Sequence, residues 1–363
     1  MCTCISFKTK DTYFGRNLDL ECKFGEKVVI TPRNYEFKLR KEKSFKTKYA
    51  MIGMATVVDQ YPLYAEACNE KGLSIAGLNF PEYAHYKDEE KGKINITPFE
   101  LTPWILGNFE NIEELKEVLN NVNLINISFS EEIQLTPMHF MIADKNNSIV
   151  LEQTKEGLKI YDNLVGVLTN SPPFIYHLTN LNNYLNLTPN FAENRFTNKI
   201  ELDAYGNGMG TLGLPGDTSP SSRFVRVAFN KLNSVCDESE ETSISQFFHI
   251  LDSVSMIRGS TITKNKKYDI TNYSCCINID KGIYYYKTYE NNQITAIRMN
   301  ENNIDSDKLE IYELIENQQI KYMNWKIKFE RVVKRLFFFY VLWYKIYKNI
   351  LKGLIWKIIK KIN

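Results

Sequence analysis

Apolar positions along this chain fall mostly into short, strand-length runs broken by turn residues, and helical spacing is confined to a few stretches. Cys2–Lys8, Lys27–Thr31, Lys48–Val57, Leu63–Asn69 and Leu73–Asn79 are apolar or alternating and read as strands. Asn69-Glu70-Lys71-Gly72 has turn chemistry, so the last two runs are predicted to form a hairpin. Pro98–Phe109 and Asn111–Asn120 read as helices, the second with an Asn cap and Glu113 and Glu114 in its first turn. Strands resume at His139–Asp144, Ser148–Gln153, Leu158–Tyr161 and Val165–Thr169, and Phe174–Leu185 looks helical. Glu193–Gly216, with five glycines, reads as a long irregular loop. Helices fit Ser221–Leu232 and Ile244–Ile257, and strands fit Ser274–Ile279, Gly282–Thr288 and Ile294–Met299. Runs of strands separated by runs of helices, without strict βαβ alternation, predict an α+β fold with antiparallel sheets.

Composition narrows this picture only slightly. With 363 residues, 44% hydrophobic and 24% charged, the chain is neither disordered, nor collagen-like, nor a disulfide-framed mini-protein. The net charge of +2 gives no case for nucleic acid as a partner, but its distribution is uneven. Residues 321–363 hold twelve Lys/Arg and one acid, a net of +11, which leaves −9 on residues 1–320. Seven cysteines without C-x-x-C spacing and four scattered histidines argue against a metal site and for a reducing compartment. The N-terminus has no signal-peptide pattern, so the expected location is cytoplasmic. Gly206-Asn207-Gly208-Met209-Gly210 lacks the Lys-Ser/Thr of a phosphate loop, and no cofactor is expected.

The chemistry is concentrated at Cys2. Removal of the initiator Met would leave a thiol and a free α-amine on one carbon, and such an amine can serve as the general base for its own thiol. Phe14-Gly15-Arg16-Asn17-Leu18-Asp19 reads as a turn-like segment that could fold back on the first strand. Arg16 would then hold Cys2 as thiolate, and Asp19 would orient the amine.

These residues are joined, in order, by Asn-Glu-Lys-Gly-Leu-Ser-Ile-Ala-Gly-Leu-Asn-Phe at 69–80, Leu-Thr-Asn-Ser-Pro at 168–172, Leu-Pro-Gly-Asp at 214–217 and Ser-Ser-Arg-Phe at 221–224. The ordered set closely resembles the choloylglycine hydrolase family of bile salt hydrolases and penicillin V acylases, over about residues 2–315. The resemblance implies an N-terminal-nucleophile hydrolase fold: a four-layer αββα sandwich with two antiparallel sheets between helical layers. It implies Cys2 as nucleophile with its α-amine as base, Arg16 and Asp19 in support, Asn79 and Asn170 as the oxyanion hole, and Arg223 organising charge around the centre. It also implies hydrolysis of glycine- or taurine-conjugated bile salts, because Asn at 79 is typical of that branch and Tyr of the penicillin acylases. Pocket walls are then expected from Leu18, Tyr61, Tyr64 and 133–140. A homotetramer is implied as well, with 193–216 as an assembly element. Cys4, on the same strand face as Cys2, and Leu18, where relatives often have Met, depart from the family pattern. A penicillin V acylase is the alternative enzyme. A catalytically silent, membrane-docked binding protein is the alternative of another class, and a retained Met1 would favour it.

The resemblance ends near residue 320, so the chain is read as an amidase domain, 2–320, and a basic, aromatic-rich extension, 321–363. Its longest uncharged run, Leu336–Tyr344, is too short to span a bilayer. On a helical wheel Arg331, Lys334, Lys345, Lys348, Lys352 and Lys360 share one sector. That pattern, broken by Trp356 inside the sector and by Lys357 and Lys361 outside it, suits an amphipathic helix lying in a membrane interface through 325–362. An extra helix packed on the body and an extension without a role are the alternatives.

Overall fold

Strand pairing in the computed structural model accounts for most of the apolar runs; residues 1–323, 339–348 and 350–353 are described. The chain divides into two units, Met1–Gln318 and Gln319–Asn363. In the first, β1 (Cys2–Lys8), β2 (Thr12–Leu20) and β3 (Lys27–Thr31) are followed by the short pair β4 (Glu36–Phe37) and β5 (Phe45–Lys46). Next come β6 (Met51–Val58), β7 (Tyr61–Asn69), β8 (Ser74–Asn79) and β9 (Ile94–Ile96), then helices α1 (Pro98–Asn108) and α2 (Ile112–Leu119). The chain continues through β10 (Val122–Leu124), β11 (Met138–Ala143), β12 (Ser148–Thr154), β13 (Gly157–Asp162) and β14 (Val167–Leu168). Helices α3 (Phe174–Asn180), α4 (Pro220–Leu232) and α5 (Glu240–Asp252) follow. Strands β15 (Ile270–Asn278), β16 (Ile283–Thr288), β17 (Thr295–Arg298) and β18 (Glu310–Glu313) close the unit.

Two antiparallel sheets result, of six strands in the order β14-β1-β2-β15-β16-β17 and of eight in the order β13-β12-β11-β8-β7-β6-β3-β18. One face of the larger sheet packs Ala67, Ile75, Phe140 and Leu151 against Leu101, Ile105 and Leu115 of α1 and α2. Its other face, with Ile52, Ala76 and Met141, joins Cys2, Cys4 and Leu18 of the smaller sheet. Beyond that sheet, Phe224, Val227, Phe247 and Leu251 of α4 and α5 complete the four layers. This is the αββα sandwich implied by the resemblance. The predicted hairpin is β7–β8, with Gly72 at φ +95° in its turn, a conformation that other residues adopt only with strain.

The clearest difference from the sequence reading is β2. Residues 14–19 are not a turn but part of a nine-residue central strand, paired with β1 on one side and β15 on the other. Gly15 is required there, because a Cβ would lie 2.1 Å from the Cys275 carbonyl oxygen across the β2–β15 pair. Helix α5 also starts four residues before the predicted Ile244, where the Ser239 side chain caps it by accepting from the Thr242 amide. The predicted loop at 193–216 holds only a short 3₁₀ turn, Met209–Thr211. In the second unit, 339–348 and 350–353 are helical; the predicted cationic positions Arg331, Lys334 and Lys360 lie outside the described residues.

Candidate active site

Alternation along β1 decides what surrounds Cys2. Cys2 and Cys4 pair in register with Leu18 and Arg16 of β2 and face the larger sheet, whereas Thr3 faces α4. Arg223, in the first turns of α4, is completely buried and reaches this strand. Its guanidinium donates to the Cys2 carbonyl, to Thr3 Oγ1 at 2.6 Å, to Asn170 Oδ1 at 2.7 Å and, through Nε, to the Thr218 carbonyl at 3.0 Å. Burial pushes the guanidinium pKa down, and Asp19, Cys2 and Asp269 oppose that shift. Asp217 fixes the start of α4, accepting from the Ser219 amide at 2.9 Å and from Ser222 Oγ at 2.6 Å. Those bonds hold its carboxyl down at about 2. The Leu-Pro-Gly-Asp and Ser-Ser-Arg-Phe segments are thus one device for placing Arg223.

Asn170 is held from several sides. A guanidinium has only donors, so the atom facing Arg223 is Oδ1, and the same oxygen accepts the Cys2 backbone N–H at 2.8 Å. Nδ2 therefore donates to the Asn79 carbonyl at 2.8 Å. Two buried imidazoles fix the backbone here. His139 Nε2 bonds the Thr169 carbonyl at 3.0 Å, and His177 Nε2 donates to the Asn170 carbonyl at 2.8 Å. His139 also meets Glu152 Oε1 at 3.0 Å and stacks on Phe80, with ring centroids 4.3 Å apart. Burial lowers His177 to about 4, and its neutral ring leaves Nδ1 without a partner.

On the other face of β2, Arg16 reaches into the larger sheet. Its NH1 donates to the Gly77 carbonyl and to the Ala65 carbonyl at 3.3 Å, and lies 3.8 Å from Glu66 Oε2. Glu66 is fully buried and surrounded by donors: Tyr273 OH at 2.8 Å, Tyr284 OH at 2.6 Å and Cys275 Sγ at 3.4 Å. Burial pushes its carboxyl up, while Arg16 and these donors pull it back. Burial alone would lower the Arg16 pKa, but Cys2, Glu66, Tyr273 and Cys4 raise it above the ordinary value. Arg16 Nε and NH2 have no hydrogen-bond partner among the described residues.

Arg16 and Asp19, three apart on a strand, point to opposite faces. Asp19 pairs across the sheet with Thr271, whose hydroxyl donates to Oδ1 at 2.6 Å; Oδ2 is buried without a hydrogen-bond partner among the described residues. Burial raises the Asp19 pKa, Arg223, the N-terminal ammonium and Thr271 lower it, and Asp269 adds repulsion. The Met1 ammonium donates to the Asp19 carbonyl and lies 3.3 Å from Asp269 Oδ2.

Cys2, Asn170, Arg223 and the Asn79 backbone are therefore joined by hydrogen bonds, with Asp19 beside the N-terminus and Arg16 on the thiol face. The Asn79 side chain is half-buried and has no hydrogen-bond partner among the described residues. Of the expected wall residues, Leu18 is in register with Cys2. Tyr61 is not at this centre but packs with Phe37, Phe99 and Phe129 toward α1, and Tyr64 bonds Thr31 Oγ1 at 2.7 Å. Sequence reasoning passed over Glu66, His139, His177, Asp269 and Thr271. Of these only Asp269 and Thr271 carried a usable signal, as polar residues flanking the start of an apolar run.

Comparison with known proteins identifies the family. The family model described as linear amide C–N hydrolases, choloylglycine hydrolase family, matches residues 2–312 and leaves the extension outside. The chain is 51% identical over 324 residues to the bile salt hydrolase/transferase of Lactiplantibacillus plantarum, covering 89% of this chain and all of that protein. It is 45% identical to the bile salt hydrolase/transferase of Clostridium perfringens, with the same coverage. A crystal structure of a variant conjugated bile acid hydrolase from C. perfringens superposes with a TM-score of 0.83 at 44% identity, over 89% of this chain and all of that one. Penicillin V acylase from Agrobacterium tumefaciens, at 20% identity, TM-score 0.68 and coverage of 89% and 94%, shares the fold. Fold, motif order and these likenesses place the chain in the choloylglycine hydrolase family of linear amide C–N hydrolases.

Proposed function

We propose that the chain hydrolyses the amide bond of glycine- or taurine-conjugated bile salts with the Cys2 thiol as nucleophile. The observation that carries this reading is the Cys2 nitrogen, held at 2.8 Å by an Asn170 oxygen that Arg223 fixes in orientation. Once Met1 is removed, that nitrogen becomes an α-amine already in place to take the thiol proton. Asp19 Oδ2, buried and unpartnered, is left to accept from the resulting ammonium. The unpartnered donors of Arg16 favour the thiolate. Attack forms a C–S bond and a tetrahedral oxyanion. The Asn79 side chain is the free amide available to that oxyanion, and a donor of this kind is worth roughly 3–4 kcal/mol. The Asn170 Nδ2, engaged with the Asn79 carbonyl, holds that residue and joins the oxyanion hole only by exchanging this bond. Collapse breaks the C–N bond, the leaving amine takes a proton from the ammonium, and water hydrolyses the thioester to free bile acid and Cys2.

The names and full-length coverage of the L. plantarum and C. perfringens relatives favour bile salts over penicillin V, where the likeness supports the fold alone. The same proposal includes a homotetramer built on 193–216, where Phe196 and Tyr205 are 85% and 88% exposed. It includes a cytoplasmic location, consistent with seven free cysteines, and contact of the extension with a membrane. The test is amine release from glycocholate, taurocholate and penicillin V by a chain whose intact mass shows Cys2 first, beside Cys2→Ala. Rapid bile salt cleavage lost in Cys2→Ala is expected. Preferential penicillin V cleavage would move the substrate, and no turnover of any of the three would sink both assignments. Sedimentation velocity tests assembly, and a monomer would remove the tetramer.

A further inference from the structure

We propose that the C-terminal extension docks on an anionic lipid surface through one face of its helix. It deepens the membrane contact named above, yet rests on the extension's own residues and not on the reaction assigned to the body. From 339 to 363 there are six lysines and no acidic residue. At about 100° per residue, Lys345, Lys348 and Lys352 fall within about 60° of one another. Phe339, Trp343, Ile346 and Ile350 fall on the opposite side, and Tyr340, Tyr344 and Tyr347 line one flank. Trp343 is 61% exposed and Ile350 57%, and Lys345, Lys348 and Lys352 are exposed as well. The Trp343 and Tyr347 rings stack with centroids 5.4 Å apart, presenting a broad aromatic surface.

This arrangement matches the chemistry of a bilayer boundary. Indole and phenol rings prefer the headgroup level, aliphatic side chains enter the acyl region, and lysine stems carry their ammonium groups back to the phosphates. None of the described helices is long and apolar enough to cross a membrane, and with Lys345, Lys348 and Lys352 on one side the proposed placement is along the surface. Charge supplies the selectivity. Residues 1–320 carry −9 and are repelled by an anionic surface, so attraction comes from the +11 of residues 321–363. A nucleic-acid groove would use the lysines but leave the aromatic face in water, and pairing of two copies would use that face but leave the lysines unmatched.

The experiment is co-sedimentation of the full chain with phosphatidylcholine vesicles, with and without phosphatidylglycerol, at low and high salt. Binding is expected only with phosphatidylglycerol and should weaken as salt rises. The Lys345→Gln/Lys348→Gln/Lys352→Gln variant should bind about 100-fold more weakly, at about one factor of five per lysine. Trp343→Ser/Ile350→Ser should also bind weakly while keeping the salt dependence. Glycocholate hydrolysis without vesicles should be unchanged in both variants, and Cys2→Ala should bind vesicles as the parent does. Equal binding to neutral vesicles, or parental binding by the lysine variant, would overturn the proposal. So would lipid-free self-association that Trp343→Ser/Ile350→Ser abolishes, or retention on duplex DNA as tight as on phosphatidylglycerol.

Discussion

Replacing Thr271 by Val tests the electrostatic part of the mechanism at a residue that touches neither thiol nor substrate. The change keeps the volume and removes one hydroxyl. That hydroxyl donates to Asp19 Oδ1 at 2.6 Å and accepts the Met256 amide at 2.8 Å. Asp19 is fully buried, its other oxygen has no partner, and burial already pushes its pKa up. A hydrogen bond to a buried charged group is worth about 1.5–3 kcal/mol, and one pKa unit is about 1.4 kcal/mol. Losing the bond should therefore raise Asp19 by roughly one to two units. If the Asp19 carboxylate must be ionised to hold the α-ammonium, the acid limb of kcat/KM moves up by the same amount. The neutral plateau stays within a few-fold of the parent. The assay is glycine release from glycocholate across the acid range, with Thr271→Ser as the variant that keeps the hydroxyl. A purely structural role lowers activity evenly at every pH and shifts the melting temperature without moving the limb. An unmoved acid limb in Thr271→Val, or an equal shift in Thr271→Ser, would refute the reasoning.

Glu66→Gln keeps shape but leaves Arg16 without its counter-charge and sets an amide NH₂ against a phenol or thiol donor. Urea unfolding should show a loss of about 3–5 kcal/mol, with kcat reduced more than KM, and parental stability would remove Glu66 as the anchor of Arg16. His177 is lowered to about 4 from 6.5, so below pH 6.5 the unfolded chain takes a proton that the folded chain refuses until about 4. Stability is thus fully present above pH 6.5 and falls as the pH drops toward 4, by on the order of 3 kcal/mol. His177→Phe should flatten this part of the urea-midpoint profile, and an identical slope in parent and variant would exclude the ring as its source. Gly15→Ala drives a Cβ into the Cys275 carbonyl, so β2 and β15 must separate. More than about 3 kcal/mol should be lost, and a near-parental melting curve would contradict the β2–β15 register.

Which of these features could be read beforehand follows from whether the partner is local. The β7–β8 hairpin was legible because both runs and their Asn-Glu-Lys-Gly turn sit together in the sequence. Arg223 was named by the resemblance alone, and the structure adds that Asp217, Ser219 and Ser222, which place it, are its neighbours in the chain. Strand β2 was not, because Arg16, Asn17 and Asp19 look like turn residues until their distant partners are known. Those partners are Glu66, 50 residues away from Arg16, the Leu251 carbonyl for Asn17, and Thr271 for Asp19. A central strand buried on both faces usually reads as a continuous apolar run. Arg16, Asn17 and Asp19 interrupt this one, and only the tertiary fold supplies what they bond. The likeness to a known family named Arg16 and Asp19 without revealing that they lie on opposite faces of a strand. Tyr61 illustrates the converse, since motif position suggested a pocket wall while the sheet's outer face claims the ring.

Cys4 separates the features that the proposed role of Cys2 requires. It lies on the same strand face as Cys2 and is the direct register partner of Arg16. Proximity to a guanidinium should therefore favour Cys4. Its pKa is instead pushed up well beyond the ordinary thiol range, because complete burial outweighs the pull of Arg16 and Glu66 adds repulsion. Its nitrogen is an ordinary amide committed to the chain, so no base is attached to it. The Cys2 nitrogen, by contrast, meets a side-chain oxygen and not the sheet ladder. The cation shared by both thiols thus cannot be what selects between them. On the proposed mechanism selection falls to the nitrogen: only at the first position of a chain without Met1 would the residue bring its own base, and with Met1 attached that nitrogen already meets the Asn170 oxygen that Arg223 fixes.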